Sequence, residues 1–385
     1  MPRKSWVGLS IALGIFLTIV LSIAKQPAEM VKNRPAAISV GVILPLTGPV
    51  AGPGKNALHG LELAISNFNA GSPDHTVRLM VEDSQSDPKA GVSAAKKLIA
   101  VDHVRIIIGD LMSSVAMAIA PVTEKNNVVL FAPGASNPKF PELGNHLFRN
   151  WASDDYDGKV MADYLLKEFK LKKGGVVYVN NEYGLGLAEA FKNRYQSGGG
   201  NVLLYEGYDQ GSVDFRPIIG KLKAMRNLEF VYLPGQPVEN GHLVKQLVEG
   251  GVTLVVSANL SVDSPEFSAI VGQSAKNIIF TTPAYDPEAS NTKAFRESYQ
   301  RAYKALPDVV AGHGYDAGNI LIQALRTCNF DLSEIRNCLA GIKDFPGVTG
   351  ETTFLPNGDV KKDVLVKQLV GPNDAKVLRK YSVER

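Results

Sequence analysis

Short β-branched runs alternate with helical stretches from about residue 38 to residue 280, and they do so in two series. Strand signals over 38–44, 77–81, 105–108 and 128–131 are separated by helix-like apolar spacing over 56–69, 89–100 and 115–125. The second series begins with a helix over 157–169. Strands over 175–179, 202–205, 230–233, 254–256 and 278–280 then alternate with helices over 185–194, 215–225 and 238–249. Repeated β-α units of this size make parallel strands joined by right-handed crossovers. Two series of roughly 110–130 residues each therefore predict an α/β protein of two doubly wound parallel-sheet lobes. After residue 281 the chain reads as helices over 294–306, 315–326 and 332–342. A hairpin over 350–354 and 360–369 follows, around Pro356-Asn357-Gly358. These tail elements complete the two lobes rather than start a third sheet.

Parallel strands send their following loops to one sheet edge, where open α/β sheets bind ligands. In the first series those loops are Gly109 to Ser114 and Ala132 to Ser136. Ser113 and Ser114 stand at a helix start, where free N–H groups and the helix dipole favour a carboxylate. Gly134 and Ala135 leave the second loop's backbone accessible, and Ser136 adds a hydroxyl. Helix-start serines also commonly cap, and Pro-Gly-Ala-Ser is ordinary turn chemistry, so both roles stay open.

Composition narrows the function class. The 385 residues are 45% hydrophobic and 21% charged, enough for about two globular domains. Of the 41 basic residues Arg3 and Lys4 precede an uncharged stretch over 6–24, which leaves 39 against 38 acidic residues in the rest. Nothing there suggests nucleic acid. Residues 1–24 read as a signal peptide with small residues Ser22 and Ala24 before the cut, or as an uncleaved membrane anchor. Both place the remainder outside the cytoplasm. Residues 25–37 read as a linker. The region from Gly48 to Lys55 fails as a phosphate loop: Pro53 replaces the second glycine and Asn56 follows the lysine. No G-x-S-x-G elbow, H-E-x-x-H motif or Cys–His pairing near a helix start is present, and the 6 histidines are scattered. No cofactor or metal is implied, and the expectation is a binding protein, not an enzyme. Asp316, in Gly314-Tyr315-Asp316-Ala317, is expected to open a helix. His313 reads as structural or cleft-lining. Export permits a disulfide between Cys328 and Cys338. A turn at Asp331 must break the helix between them, because ten helical residues span about 15 Å.

The order of several motifs is similar to that of the periplasmic leucine/isoleucine/valine-type binding proteins, the solute receptors of ABC importers. These are G-V-I-L-P-L-T-G-P-V-A near the start, D-L-M-S-S, A-P-G-A-S, N-E-Y-G, G-Y-D-A, and F-x-G-V-T-G with F-L-P-N-G-D. The resemblance runs from about Ser39 to Leu369. It implies two lobes of the type I periplasmic-binding-protein fold, joined by three crossovers near Trp151, Thr282 and Thr352, with a ligand cleft between them. Lobe 1 would comprise residues 38–151 plus 283–352, and lobe 2 residues 152–282 plus 353–385. The ligand would be an amino acid, branched-chain or similar, or a related small carboxylate. By resemblance Met112, Ser113, Gly134, Ala135 and Ser136 hold its carboxylate and share its ammonium, and Tyr183 closes over it. Gln236 stands near a pocket tyrosine of the family, and Pro53 replaces another. The acid that pairs the ammonium should fall near Asn259, Leu260 and Ser261, where this chain has none; Asp263 is the nearest. An aromatic acid, amide or dicarboxylate fits the carboxylate half equally well. The implied partner is an ABC permease complex, served by a monomer; a membrane-tethered sensor with the same cleft is the alternative.

Overall fold

A computed structural model describes residues 36–274, 276–372 and 374–382. The signal or anchor over 1–24 and most of the linker over 25–37 lie outside the described residues. The first sheet holds β1 (Ala36–Leu44), β2 (His75–Asp83), β3 (Ile106–Gly109), β4 (Val129–Ala132) and β5 (Leu147–Arg149) in the order β2-β1-β3-β4-β5. All its pairings are parallel. The runs Ile-Ile-Ile-Gly and Val-Leu-Phe-Ala are buried at every position, as strands covered on both faces must be. Helices α1 (Ala51–Gly71), α2 (Pro88–Ala100) and α3 (Ser113–Lys125) connect these strands.

The second lobe begins with α4 (Asp154–Lys167), followed by β6 (Lys173–Val179), α5 (Glu182–Ser197), β7 (Asn201–Tyr208) and α6 (Arg216–Ala224). It continues through β8 (Phe230–Leu233), α7 (Pro237–Glu249), β9 (Val255–Ala258), α8 (Pro265–Val271) and β10 (Ile279–Pro283). The short helix α8 is not anticipated by the sequence reading. The chain then returns to the first lobe as α9 (Ser290–Tyr303), α10 (Val309–Thr327) and α11 (Ile335–Ala340), and next forms β11 (Phe345–Gly347), β12 (Gly350–Phe354) and β13 (Val360–Lys361). Two last strands, β14 (Val364–Gly371) and β15 (Asp374–Tyr381), join the second sheet. Its order is β15-β14-β10-β9-β8-β6-β7, with β14 and β15 antiparallel to their neighbours.

Three sequence expectations change. The hairpin at Pro356 is real but short: after Pro356 β12 pairs with the two-residue β13, while β14 departs to lie beside β10. Phe354 packs edge-on against Phe131 and Phe148, with centroids 5.8 and 5.3 Å apart. That packing holds residues 353–361 on the first lobe, so the third crossover falls at Lys362–Asp363 and not near Thr352. The glycines around His313 mark no loop. Helix α10 starts at Val309, and the Asp308 side chain caps it by accepting from the Ala311 N–H at 2.8 Å. A Cβ on Gly314 would sit 2.1 Å from the Ala57 carbonyl oxygen, and one on Gly60 would sit 2.0 Å from that of Ala311. These glycines let α1 and α10 touch backbone to backbone. Asp316 is consequently two turns inside α10, buried, and accepts from the backbone N–H groups of Val348 and Thr349. Helix α1 likewise starts at Ala51 and not at Asn56, since a proline is tolerated in a first turn. Cys328, just past α10, is bonded to Cys338 in α11 with Cα atoms 6.1 Å apart.

Candidate functional site

A cavity of about 360 Å³ separates the lobes at the carboxyl edges of both sheets. Its first-lobe wall is the pair of loops after β3 and β4. Asp110, not a serine, organises the turn into α3, through a 2.8 Å bond from the Met112 N–H to its carboxylate. Met112 is the N-cap residue, and no side chain caps the helix. The Ser113 hydroxyl instead accepts from the N–H groups of Ser136 and Asn137, both at 3.2 Å, which ties the second loop to the start of α3. Arg149 lies behind that loop, fully buried. One edge of its guanidinium donates to the carbonyls of Ala135 (3.3 Å) and Asn137 (2.8 Å). The other edge grips both oxygens of Asp359 at 2.7 Å. The first N–H groups of a helix lack intrahelical acceptors. With Ser113 and Ser114 on the cavity wall, this helix end offers an anion those N–H groups and a favourable dipole.

The second-lobe wall has the opposite polarity. Asp154 and Asp157 project from one face of the first turn of α4, three residues apart, and both line the cavity. The Ser136 hydroxyl reaches across the cleft to Asp154 at 3.0 Å. Burial, and then the neighbouring Asp157 charge, push the Asp154 carboxyl well above the usual carboxylate range. Burial likewise pushes Asp157 up to about 6, against the Thr281 hydroxyl, which favours the charged form, and one of its oxygens is inaccessible to solvent. Tyr183 stands beside them. Its hydroxyl accepts from the Asn259 amide, which leaves its own proton for another acceptor. Asn259 is itself fixed by Ser261 at 2.7 Å and by the Gly235 carbonyl at 3.0 Å. Among the described residues no lysine, arginine or histidine lines the cavity. The remaining wall is mixed: Pro53, Leu260, Val309 and Val310 are apolar, while Asn56, Ser264, Glu266 and Asp308 are polar or acidic. Trp151, on the first crossover, adds an indole that packs 4.3 Å from the His313 ring.

The sequence-derived residues fall as follows. Met112, Ser113, Gly134 and Ser136 lie on the first-lobe wall, and Tyr183, Gln236 and Asn259 on the second. Ala135 does not line the cavity: its side chain sits in the first-lobe core, and only its carbonyl takes part, on Arg149. No acid is found at 259–261. Asp263 sits at the rim, with Lys367 at 3.8 Å. Asp154 and Asp157, which sequence reasoning missed, also line the cavity, as do Glu266 and Asp308. The run Ser153-Asp-Asp-Tyr-Asp157-Gly is visible in the sequence, but acids in a first helical turn are favoured by the dipole anyway. Buried His313 donates no charge: burial and the nearby Lys362 ammonium hold its pKa well below the ordinary value. Its Nδ1 lies 2.8 Å from the Val309 carbonyl.

Two α/β lobes, three connecting segments and a polar cleft between them define a solute-trapping receptor, the class in which domains close by hinge motion around a ligand. The chain belongs to the periplasmic binding protein family, whose profile matches residues 37–374. It is similar to Leu/Ile/Val-binding protein homolog 3 of Brucella melitensis, 30% identical over 332 residues, 84% of this chain and 89% of that one. It is also similar to the Leu/Ile/Val-binding protein BraC3 of Rhizobium johnstonii, 30% identical over 349 residues, 89% of this chain and 93% of that one. Among solved structures, a leucine binding protein LivK of Thermotoga maritima superposes with a TM-score of 0.84 at 27% identity, covering 90% of this chain and 99% of that one. The family is one of extracytoplasmic substrate-binding receptors of transporters, not of enzymes.

Proposed function

We propose that the protein captures an α-amino acid with an apolar side chain, branched-chain or similar, and presents it to an ABC importer. The observation that carries this reading is the split polarity of one cavity. An anion-favouring helix start on the first lobe faces the buried Asp154 and partly buried Asp157 carboxylates on the second, with apolar Pro53, Leu260, Val309 and Val310 among the residues beyond. That is the outline of a zwitterion with a hydrophobic side chain. The relatives' names point to leucine, isoleucine and valine. A volume of about 360 Å³ lies at the small end of ligand pockets. In this reading Ser113, Ser114 and the loop at Gly134 receive the carboxylate, Asp154 and Ser136 receive the ammonium, and Tyr183 and Gln236 close the second side.

Titration calorimetry with the twenty amino acids tests this. The best ligand is then compared with its α-keto acid, which lacks the ammonium, and its decarboxylated amine, which lacks the carboxylate. Each truncation should weaken binding at least tenfold. Equal binding of the keto acid, or no binding of any amino acid, overturns the reading.

A further inference from the structure

We propose that Asn137 and Gly186 form a latch between the lobes, which holds the cleft shut around any ligand without touching it. The inference concerns closure itself and so goes beyond the amino-acid reading above.

Asn137 belongs to the first lobe through its backbone. Its N–H donates to the Ser113 hydroxyl at 3.2 Å, and its carbonyl accepts from Arg149 at 2.8 Å. Its side-chain oxygen accepts from the Lys139 N–H at 2.8 Å, which fixes the orientation of the amide. The amide nitrogen then crosses to the second lobe and donates to the carbonyl of Glu182, the first residue of α5. Asn137 is 3% exposed, yet it does not line the cavity. Gly186, buried one turn further along α5, receives the amide: a Cβ there would sit 2.7 Å from its nitrogen and 3.2 Å from Cδ of Pro138. The bond therefore fixes the first turn of α5, whose Tyr183 does line the cavity.

Neither side needs the other to fold. Asn181 caps α5 by accepting from the Gly184 N–H at 3.0 Å. A first-turn helix carbonyl accepts from the N–H four residues on and keeps a second lone pair, which at Glu182 is the one Asn137 uses. When the lobes part, the amide and that lone pair pass to water. A bond made only with the lobes together shifts the balance between open and closed forms, and it does so by the same factor for every ligand.

The test uses the full-length protein with leucine, isoleucine, valine and whichever other amino acid of the twenty binds best. Asn137→Asp keeps the acceptor for Lys139 and replaces the donor by an oxygen that faces the Glu182 carbonyl. It should weaken every ligand about tenfold or more, by one shared factor and mainly through faster dissociation. The empty variant should melt with the wild type. Gly186→Ala, on the other lobe, should weaken binding about five- to a hundredfold, as overpacking a close contact does. Its empty form should melt at the same temperature or higher, because alanine is the better helix residue. A contact that is fixed in both open and closed forms predicts the reverse, with both empty variants melting lower and affinity barely moving. Lower melting of either empty variant, or its failure to fold, overturns the latch. So does unchanged affinity, or a factor that differs between ligands, and the amino-acid reading then still stands. If none of the twenty amino acids binds, that reading falls, and the melting temperatures alone decide the latch.

Discussion

On the first-lobe wall Ser113 holds two backbone N–H groups, and Arg149 holds Asp359 and two carbonyls. On the second-lobe wall Asp154 and Asp157 face the cavity with no cationic side chain lining it. The first wall is preorganised: its polar groups are bonded within the protein, and its shape exists before the ligand arrives. The second is held at a free-energy cost, because buried carboxylates without a counter-charge are unfavourable and shift toward their neutral forms. In the proposed function a ligand ammonium supplies what the second wall lacks. Mutations on the two walls should therefore differ in sign as well as in size.

The largest expected effect lies on the first wall. Arg149→Met leaves the partly buried Asp359 without its partner and frees the buried carbonyls of Ala135 and Asn137. Breaking a buried pair in this way costs about 3–5 kcal/mol of folding stability, read by urea unfolding. A loss under about 1 kcal/mol would class the pair with exposed ion pairs and end its role as the scaffold of the wall.

Asp154→Asn sharpens the contrast. It should weaken amino-acid binding about ten- to a hundredfold, the loss expected for a hydrogen bond to a charged group. Stability of the empty protein should stay level or rise, since a buried uncompensated acid is removed while Ser136 keeps an acceptor. A fall in apo stability would put Asp154 in the same class as Arg149.

Ser113→Ala comes next. Two buried N–H groups lose their acceptor, so apo stability should drop by about 1–3 kcal/mol, and affinity should fall as the loop loosens. Unchanged stability would mean the hydroxyl only serves ligand, contrary to its two bonds.

The smallest effect is in pH. The folded-state pKa of Asp157, about 6, lies above its unfolded value of about 3.9. Stability from such a group is present below the unfolded pKa and is lost as pH rises through the folded one. Melting temperatures of the empty wild type should thus fall relative to Asp157→Asn between about pH 4 and pH 6. Amino-acid affinity should rise over the same window, because an ammonium favours the ionised acid. Parallel pH curves for the two proteins would remove Asp157 from the account.

Much of the fold is legible in the chain because β-α alternation repeats and each buried strand is an unbroken apolar run. Ile106 to Ile108 and Val129 to Phe131 need no partner to be recognised as interior strands. The loops that follow them, and with them Ser113 and Ser136, could be assigned to one sheet edge from connectivity alone. Where the reading failed, the local signal was shared by two structures. Gly312 and Gly314 resemble a loop, yet both lie in α10, where Gly314 serves close contact with α1 and Gly312 stands against Thr349. Residues 364–371 resemble the second half of a hairpin with 350–354, yet β14 lies between β10, far away in sequence, and β15.

The sequence by itself determined that this is an α/β chain of two lobes, because periodicity and handed crossovers are local properties. Only the tertiary structure decided which polar residues meet. Asp154 meets Ser136 and lines the cavity with Asp157 because the first crossover turns α4 toward the first lobe, and Arg149 becomes a scaffold because the hairpin brings Asp359 to it from 210 residues away. Burial and approach across such distances set charge, hydrogen bonding and specificity, and no residue carries them in its own type.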